Sequence, residues 1–279
     1  MPRIFDFGGR EVDRSVTVAS LRALKGSGRH VAQVTAETAD EAAAAEAAGV
    51  EMVVCRAANV AGVRQGSRRV FVTAALGFAD AVISDEILRT AFSAITAGAD
   101  AVITGRGHDT VRMLANEQIP VMGHLGFVPR KSTWVGAIRA VGKTATEALE
   151  LWDRFRRLED AGAFAVECEI IPADVMAEIN RRTGLVTVSL GSGPAADVVF
   201  LFTSDITGES ARLPRHARAW GDLAALHKAV RDARVEALSG FRQEVAGGRY
   251  PANAEVVGIA QAELEAFRAR LEAGEISKA

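Results

Sequence analysis

The sequence predicts a single (β/α)8 barrel, and three features of its 279 residues support that fold. Short apolar runs rich in β-branched residues recur along the chain, and helical segments that end near a glycine follow most of them. The runs are apolar on both faces, as expected for parallel strands covered by helices. Eight such runs alternate with helices, which favours a closed barrel over an open doubly wound sheet.

The elements follow in order. The polar stretch 3–13 predicts a leading strand or turn, and 15–25 predicts a short helix. The apolar runs predict eight strands at 30–36, 51–56, 70–76, 100–105, 120–126, 163–169, 186–191 and 198–203. Helical patterns between them predict helices at 38–48, 85–97, 109–117, 144–161 and 173–183. Glycines 49, 98, 162 and 184 lie where helix ends are expected.

The domain organisation follows from this repeat. Residues 1–279 are interpreted as one barrel domain, with charged helices in 218–279 packing outside the barrel. No GxGxxG follows the first strand, which argues against a dinucleotide-binding sheet.

Composition excludes several classes of protein. The net charge is -2 and Lys and Arg are spread along the chain, so we expect no nucleic-acid partner. A hydrophobic fraction of 49% is enough for a large core, but no uncharged apolar run is long enough to predict a membrane span. The N-terminus lacks the apolar core of a signal peptide. Only Cys55 and Cys168 occur, so a disulfide scaffold is excluded and the cytoplasm is the expected compartment.

The active sites of such barrels lie at the carboxyl ends of the strands, and this rule selects candidates directly. Glu169 ends an apolar strand, where partial burial would disfavour its ionised form and suit a general base or acid. A structural pair with an arginine is an equally open interpretation. His124 lies in a GHLG segment whose glycines permit close approach of a ligand, or it bridges two loops.

Two arginines end neighbouring predicted strands, Arg56 and Arg106. Their planar side chains could hold a carboxylate or phosphate bidentately. Structural ion pairs with Glu37, Glu167 or Asp205 are the alternative. The turn Gly191-Ser192-Gly193 follows the seventh strand, where barrels often bind phosphate, but so short a motif is a weak signal and a plain tight turn is the preferred interpretation.

Three segments of the chain contain motifs of a known enzyme family. The first, IPVMGHLGFVP at 119–129, is similar to the PVxGHLGLTPQS of the ketopantoate hydroxymethyltransferase family. AGAFAVECEIIP at 161–172 resembles its AGAxxxxxExVP, and VTVSLGSG at 186–193 resembles its IPxIGIGAG. The spacing agrees over roughly residues 30–205, and the central motifs are the most specific.

The resemblance implies a barrel of the phosphoenolpyruvate/pyruvate superfamily. It implies transfer of a hydroxymethyl group from 5,10-methylene-tetrahydrofolate to a 2-oxo acid, through an enolate stabilised by magnesium. Glu169 matches the family's catalytic glutamate, and His124 matches the histidine of GHLG that lines the substrate site. Family members form ring-like oligomers, so a homo-oligomer is expected.

The chain departs from the family where the metal is held. Arg56, Ala57 and Ala58 replace the family's GDS, and Ala75 replaces the aspartate of its DLPF. Ile103-Thr104-Gly105-Arg106-Gly107 occupies the place of the family's KxEGG, whose lysine binds substrate and whose glutamate belongs to the site. Since magnesium prefers carboxylate oxygens, no comparable metal site is expected.

The gained arginines lead to a hypothesis. Arg56 and Arg106 are expected to replace the ion as electrophile and carboxylate anchor. Four further polar residues at or just after strand ends are expected to contact the substrate: Asn59, His108, Ser189 and Ser192.

The expected function is therefore hydroxymethyltransferase-like, making or breaking a C–C bond beside the carbonyl of a small 2-oxo acid. One alternative is a lyase, decarboxylase or hydrolase of a 2-oxo acid in the same superfamily. A second is a catalytically inactive relative that binds a small anion or a partner, which would also explain the lost site residues.

Overall fold

The computed structural model describes residues 3–274 and divides the chain into two compact units, Met1–Gly221 and Asp222–Ala279. The first unit contains a closed, wholly parallel barrel, as predicted. Its strands follow one another around the barrel in chain order, and the last pairs with the first. The barrel strands are β3 (Val31–Thr35), β4 (Met52–Arg56), β5 (Phe71–Ala75), β6 (Ala101–Ile103), β7 (Val121–Gly126), β8 (Ala165–Glu169), β9 (Val186–Leu190) and β10 (Val198–Leu201).

Before the barrel, a two-stranded antiparallel ribbon joins β1 (Ile4–Phe5) to β2 (Glu11–Val12). The helices of the first unit are α1 (Val18–Arg22), α2 (Ala39–Ala47), α3 (Val60–Gly66), α4 (Ser84–Thr96), α5 (His108–Asn116), α6 (Ser132–Val135), α7 (Ala145–Asp160), α8 (Ala173–Asn180) and α9 (Thr203–Ile206). Short 3-10 turns lie at Ala57–Asn59 and Pro129–Lys131.

Two apolar layers explain why the strands lack a polar face. Side chains such as Met52, Phe71 and Met122 point into the barrel and pack together in its interior. Alternate side chains point outward and pack against the helices, where Phe155 of α7 is fully buried. Because successive strand residues face opposite sides, both faces must be apolar.

A buried ion-pair group ties the segment before α1 to the barrel. The Asp100 carboxylate accepts from Arg14 Nε at 2.7 Å and from Arg64 Nη2 at 2.5 Å. It also accepts from the Val72 backbone N–H at 2.8 Å. Burial lowers the pKa of Arg64, and the charge of Asp100 opposes that shift. This carboxylate therefore holds two buried cations beside the start of β6.

All eight predicted strands are confirmed, with ends that shift by at most two residues. The helix α3 was not predicted. Its seven residues include Gly62 and Gly66, which have low helix propensity, and the segment is too short for a clear period. The predicted leading strand or turn is the ribbon of β1 and β2.

The second unit contains α10 (Leu223–Ala246) and α11 (Gln261–Glu272), with a 3-10 turn at Asn253–Glu255 between them. Both helices were expected from their composition. Several large apolar side chains of α10 are exposed, among them Leu226, Val230 and Phe241. No described helix is both long and apolar enough to cross a membrane.

Candidate active site

A cavity of about 310 Å³ opens at the carboxyl ends of the barrel strands. Its wall is formed by side chains from around the barrel, among them Thr35, Ala75, Thr104, His124, Glu167 and Phe202. The position agrees with the general rule for this fold. Gln33 and Thr73 each lie two residues before a wall residue on the same strand, so they face the interior just beneath the cavity.

The strand register brings three ionisable groups together. His124 of β7 is paired with Glu167 of β8, and Gly126 is paired with Glu169. Glu167 and Glu169 are two residues apart and therefore share the inward face of β8. The sequence segments GHLG and ECE thus meet side by side at the barrel mouth.

The central contact is a hydrogen bond from His124 to Glu169. The atoms His124 Nε2 and Glu169 Oε2 are 3.0 Å apart. The same nitrogen lies 3.1 Å from the Phe127 carbonyl oxygen. Both partners are acceptors, so Nε2 carries a hydrogen. On the opposite side of the ring, Nδ1 lies 3.8 Å from Glu167 Oε1.

Burial and charge act on these groups in opposite directions. Burial disfavours the imidazolium form of His124, but the hydrogen bond to Glu169 and the charge of that carboxylate oppose this effect, and the histidine pKa is raised. Burial raises the pKa of Glu167, the neighbouring Glu169 adds to that effect, and His124 opposes it. The arrangement therefore favours a protonated histidine bonded to the Glu169 carboxylate.

The backbone around Glu169 is unusually constrained. Ile170 has a φ of +51°, a left-handed conformation that β-branched residues rarely adopt. Its N–H donates to the Leu190 carbonyl at 2.9 Å. Gly126 has a φ of +89°, and a methyl group there would lie 2.3 Å from the Glu169 carbonyl oxygen. The Phe127 N–H donates to that oxygen at 2.7 Å, so the ends of β7 and β8 are fixed together.

The two arginines selected from the sequence do not line the cavity. Arg106 Nη2 donates to the Phe78 carbonyl at 2.8 Å and to the Ala81 carbonyl, so its guanidinium holds the loop after β5. The Arg56 side chain is exposed at the end of β4. Its backbone N–H donates to Glu37 Oε2 at 3.0 Å.

Arg130 is the arginine of the cavity wall. Its guanidinium carbon lies 4.5 Å from the centroid of the Phe78 ring. Within residues 3–274 its side chain has no hydrogen bond or ion pair. Sequence reasoning missed it because it follows the end of β7 by four residues, and only the short 3-10 turn returns it to the barrel mouth.

The other predicted contacts have structural partners. Asn59 Nδ2 donates to Glu37 Oε2 at 2.7 Å. Ser189 Oγ donates to the Gly193 carbonyl at 2.8 Å, and Ser192 Oγ donates to the Cys168 carbonyl at 2.6 Å. These serines shape the turn after β9, and neither they nor Asn59 line the cavity.

His108 and the cysteines complete the placement of candidate groups. His108 begins α5 outside the cavity wall, and burial and then the nearby Arg154 and Arg157 lower its pKa. Burial and the Glu37 charge raise the pKa of Cys55 to about 12, so this wall residue is a thiol at neutral pH. Cys168 is fully buried and free.

Comparison with known proteins decides the family. The family model described as ketopantoate hydroxymethyltransferase matches residues 55–253. The chain belongs to this family. The 3-methyl-2-oxobutanoate hydroxymethyltransferase of Hyperthermus butylicus is 31% identical over 92% of this chain and 94% of its own length. The enzyme of that name from Pyrobaculum islandicum is 36% identical, over 60% of this chain and 63% of its own length.

Solved structures agree on the fold. Phosphonopyruvate hydrolase, solved with oxalate and Mg²⁺, superposes with a TM-score of 0.50 at 14% identity, covering 92% of this chain and 98% of the other. The 2,3-dimethylmalate lyase, described as a PEP mutase/isocitrate lyase superfamily member, also gives 0.50, at 15% identity over 91% and 99%. The predicted (β/α)8-barrel fold is therefore confirmed.

Membership of the ketopantoate hydroxymethyltransferase family implies a magnesium ion, and the residues present can be tested for it. Ala57 and Ala75 stand where the resemblance places the two aspartates, and neither side chain has an oxygen. His124, Glu167 and Glu169 offer one ligand atom each within 4.8 Å of one another. However, one of the three is a histidine whose Nε2 is already bonded to Glu169 and to the Phe127 carbonyl, and magnesium prefers oxygen ligands. The donor set does not fit the family's ion.

Proposed function

We propose that this protein is an enzyme that makes or breaks a C–C bond beside the carbonyl of a small 2-oxo acid through an enolate. Hydroxymethyl transfer, with 5,10-methylene-tetrahydrofolate as the donor, is the first assignment, since the matched relatives carry that activity in their names. The observation that carries the proposal is the 3.0 Å contact between His124, which lines the cavity, and Glu169, which is not itself a wall residue.

The chemistry assigned to these residues is proton transfer. One Glu169 carboxylate oxygen is hydrogen-bonded to His124. We assign the Glu169 carboxylate as the base that removes the proton from the carbon beside the substrate carbonyl. As that C–H bond breaks, its electron pair forms the C=C bond of the enolate and the carbonyl electrons move to oxygen. His124, protonated and fixed on β7, places a positive charge close to the developing enolate.

We further propose that this step proceeds without an ion at the family's position, because Ala57 and Ala75 supply no oxygen ligand there. The experiment is exchange of substrate protons for deuterium, followed by NMR, for a panel of short 2-oxo acids with and without EDTA. We expect exchange whose rate EDTA leaves unchanged. Exchange abolished by EDTA and restored by Mg²⁺ would contradict the metal-free step, and no exchange with any acid would favour an inactive binding protein.

Arg130 is the proposed anchor for the substrate carboxylate, because it lies on the cavity wall with no anionic partner among residues 3–274. Arg56 remains a second candidate at the rim, and Arg106 a residue that shapes the wall. The hypothesis that Arg56 and Arg106 together replace the metal thus becomes a narrower proposal centred on Arg130.

Removing this guanidinium should weaken substrate binding. A charged hydrogen bond contributes roughly 1.5–3 kcal/mol, so we expect Arg130→Met to raise the Kd of the 2-oxo acid about 10- to 100-fold. Isothermal titration of Arg130→Met, Arg56→Met and the unmodified protein measures it. A Kd that changes only in Arg56→Met would show that Arg56, and not Arg130, binds the substrate carboxylate.

The remaining assignments are proposals of the same kind. A homo-oligomer is proposed from the apolar side chains that α10 leaves exposed, such as Leu226 and Phe241. A reducing cytoplasm is proposed from two free, buried cysteines. The spread of charge supports a small-molecule substrate and no nucleic-acid partner.

A further inference from the structure

Glu167 is a buried carboxyl group that the proton transfer described above does not use. Its residue is 6% exposed, and it lies on the wall of the cavity. Within residues 3–274 its carboxyl group makes no hydrogen bond, since His124 Nδ1, at 3.8 Å, is beyond hydrogen-bond length. A buried carboxyl on a cavity wall, whose nearest charged neighbour His124 is too distant for a hydrogen bond, is costly unless a ligand or a proton satisfies it.

The charges around Glu167 favour its neutral form. His124 faces it from β7 and Glu169 follows it on β8, while its pairing neighbour on β9 is the apolar Val188. Glu37 and Arg130 are the other charged residues of the cavity wall. With Glu169 ionised and His124 protonated, the pair is already neutral, so a second carboxylate would add an unbalanced buried charge. Burial and the neighbouring Glu169 raise the pKa of Glu167 accordingly.

We infer that Glu167 is a protonated carboxylic acid whose O–H donates to the carbonyl oxygen of the 2-oxo acid and stabilises the enolate. This inference rests on the proposed function and gives the enolate oxygen a specific hydrogen-bond donor. When Glu169 takes the carbon-bound proton, the carbonyl oxygen gains the electron pair and accepts the Glu167 hydrogen bond. If the proton transfers fully, Glu167 becomes the carboxylate and an enol forms, and reversal returns both protons.

The placement explains how the site works without oxygen ligands at Ala57 and Ala75. Glu167 lies on the same inward face as the base but one step deeper, so the two carboxyl groups approach a bound substrate from different heights. A neutral acid does not repel the anionic substrate, whereas a second carboxylate would. The two glutamates of ECE therefore have opposite protonation states and opposite roles.

The protonation state is tested without any substrate. We expect the infrared difference spectrum between the protein and Glu167→Gln at neutral pH to contain the carbonyl stretch of a protonated carboxylic acid. Glu150→Gln, an exposed change on α7, is the matched control and should give no such band. Absence of the band in the Glu167 difference spectrum overturns the inference, even if the protein exchanges protons normally.

The role is tested by proton exchange. Removing one preorganised donor typically costs about 10²-fold in rate, so Glu167→Leu should slow exchange by about that factor, while Glu167→Gln, whose amide still donates, should lose less. Thermal melting identifies any variant that fails to fold, and Glu167→Gln then carries the comparison. If Glu167→Leu exchanges within about twofold of the unmodified protein, the inference is wrong. An infrared band without exchange in the unmodified protein overturns the proposed function instead.

Discussion

Replacing Glu169 with glutamine is expected to slow proton exchange into a 2-oxo acid by about 10²- to 10⁴-fold, the usual contribution of a positioned general base. The amide retains the shape of the side chain and its contact with His124, whose Nε2 lies 3.0 Å from the present carboxylate. It cannot accept the carbon-bound proton. The loss should therefore appear in the rate constant of exchange at saturating substrate, with a much smaller change in Kd.

The measurement is the exchange rate by NMR as a function of substrate concentration, with Glu150→Gln as the charge-matched control on the surface of α7. Thermal melting should show that Glu169→Gln folds. If the variant keeps the full exchange rate, Glu169 is a structural partner of His124 and the base lies elsewhere, with Glu37 the remaining wall carboxylate besides Glu167.

Among the substitutions proposed for this protein, removal of the Asp100 carboxylate should cause the largest loss of stability. Asp100→Ala leaves Arg14 and Arg64 buried without their anion, since their side chains are only 5% and 11% exposed. Breaking a buried pair in this way costs about 3–5 kcal/mol in the free energy of unfolding. The Val72 N–H loses its acceptor as well. Urea denaturation followed by circular dichroism measures the difference.

Glu178→Ala is the matched control, because Glu178 also pairs with two arginines, Arg181 and Arg182, but on the exposed surface of α8. Solvent screens such pairs, so its loss should be much smaller. Equal losses in the free energy of unfolding for the two variants would show that burial of the Asp100 group contributes nothing. The comparison requires a cooperative unfolding transition in both variants.

Local sequence predicted the barrel well because each strand has its own signature. Runs such as AFAVECE and VTVSLG are apolar on both faces. Glycines 162 and 184, just before these runs, mark the ends of the preceding helices. The helix α3 escaped prediction because seven residues with two glycines carry little periodic signal. The fold rule and the motif resemblance together selected Glu169 and His124 as candidates, which the structure places in contact.

The amino-acid sequence by itself therefore determined the barrel, the family and the two central residues, since these depend on patterns within short segments. Only the tertiary structure decided which charged groups surround the cavity. Arg106 turns away to bind backbone carbonyls, Arg130 joins the wall, and Glu167 is buried facing it. The physical reason is that hydrogen bonding and burial depend on the strand register around the closed barrel, which joins residues far apart in the chain.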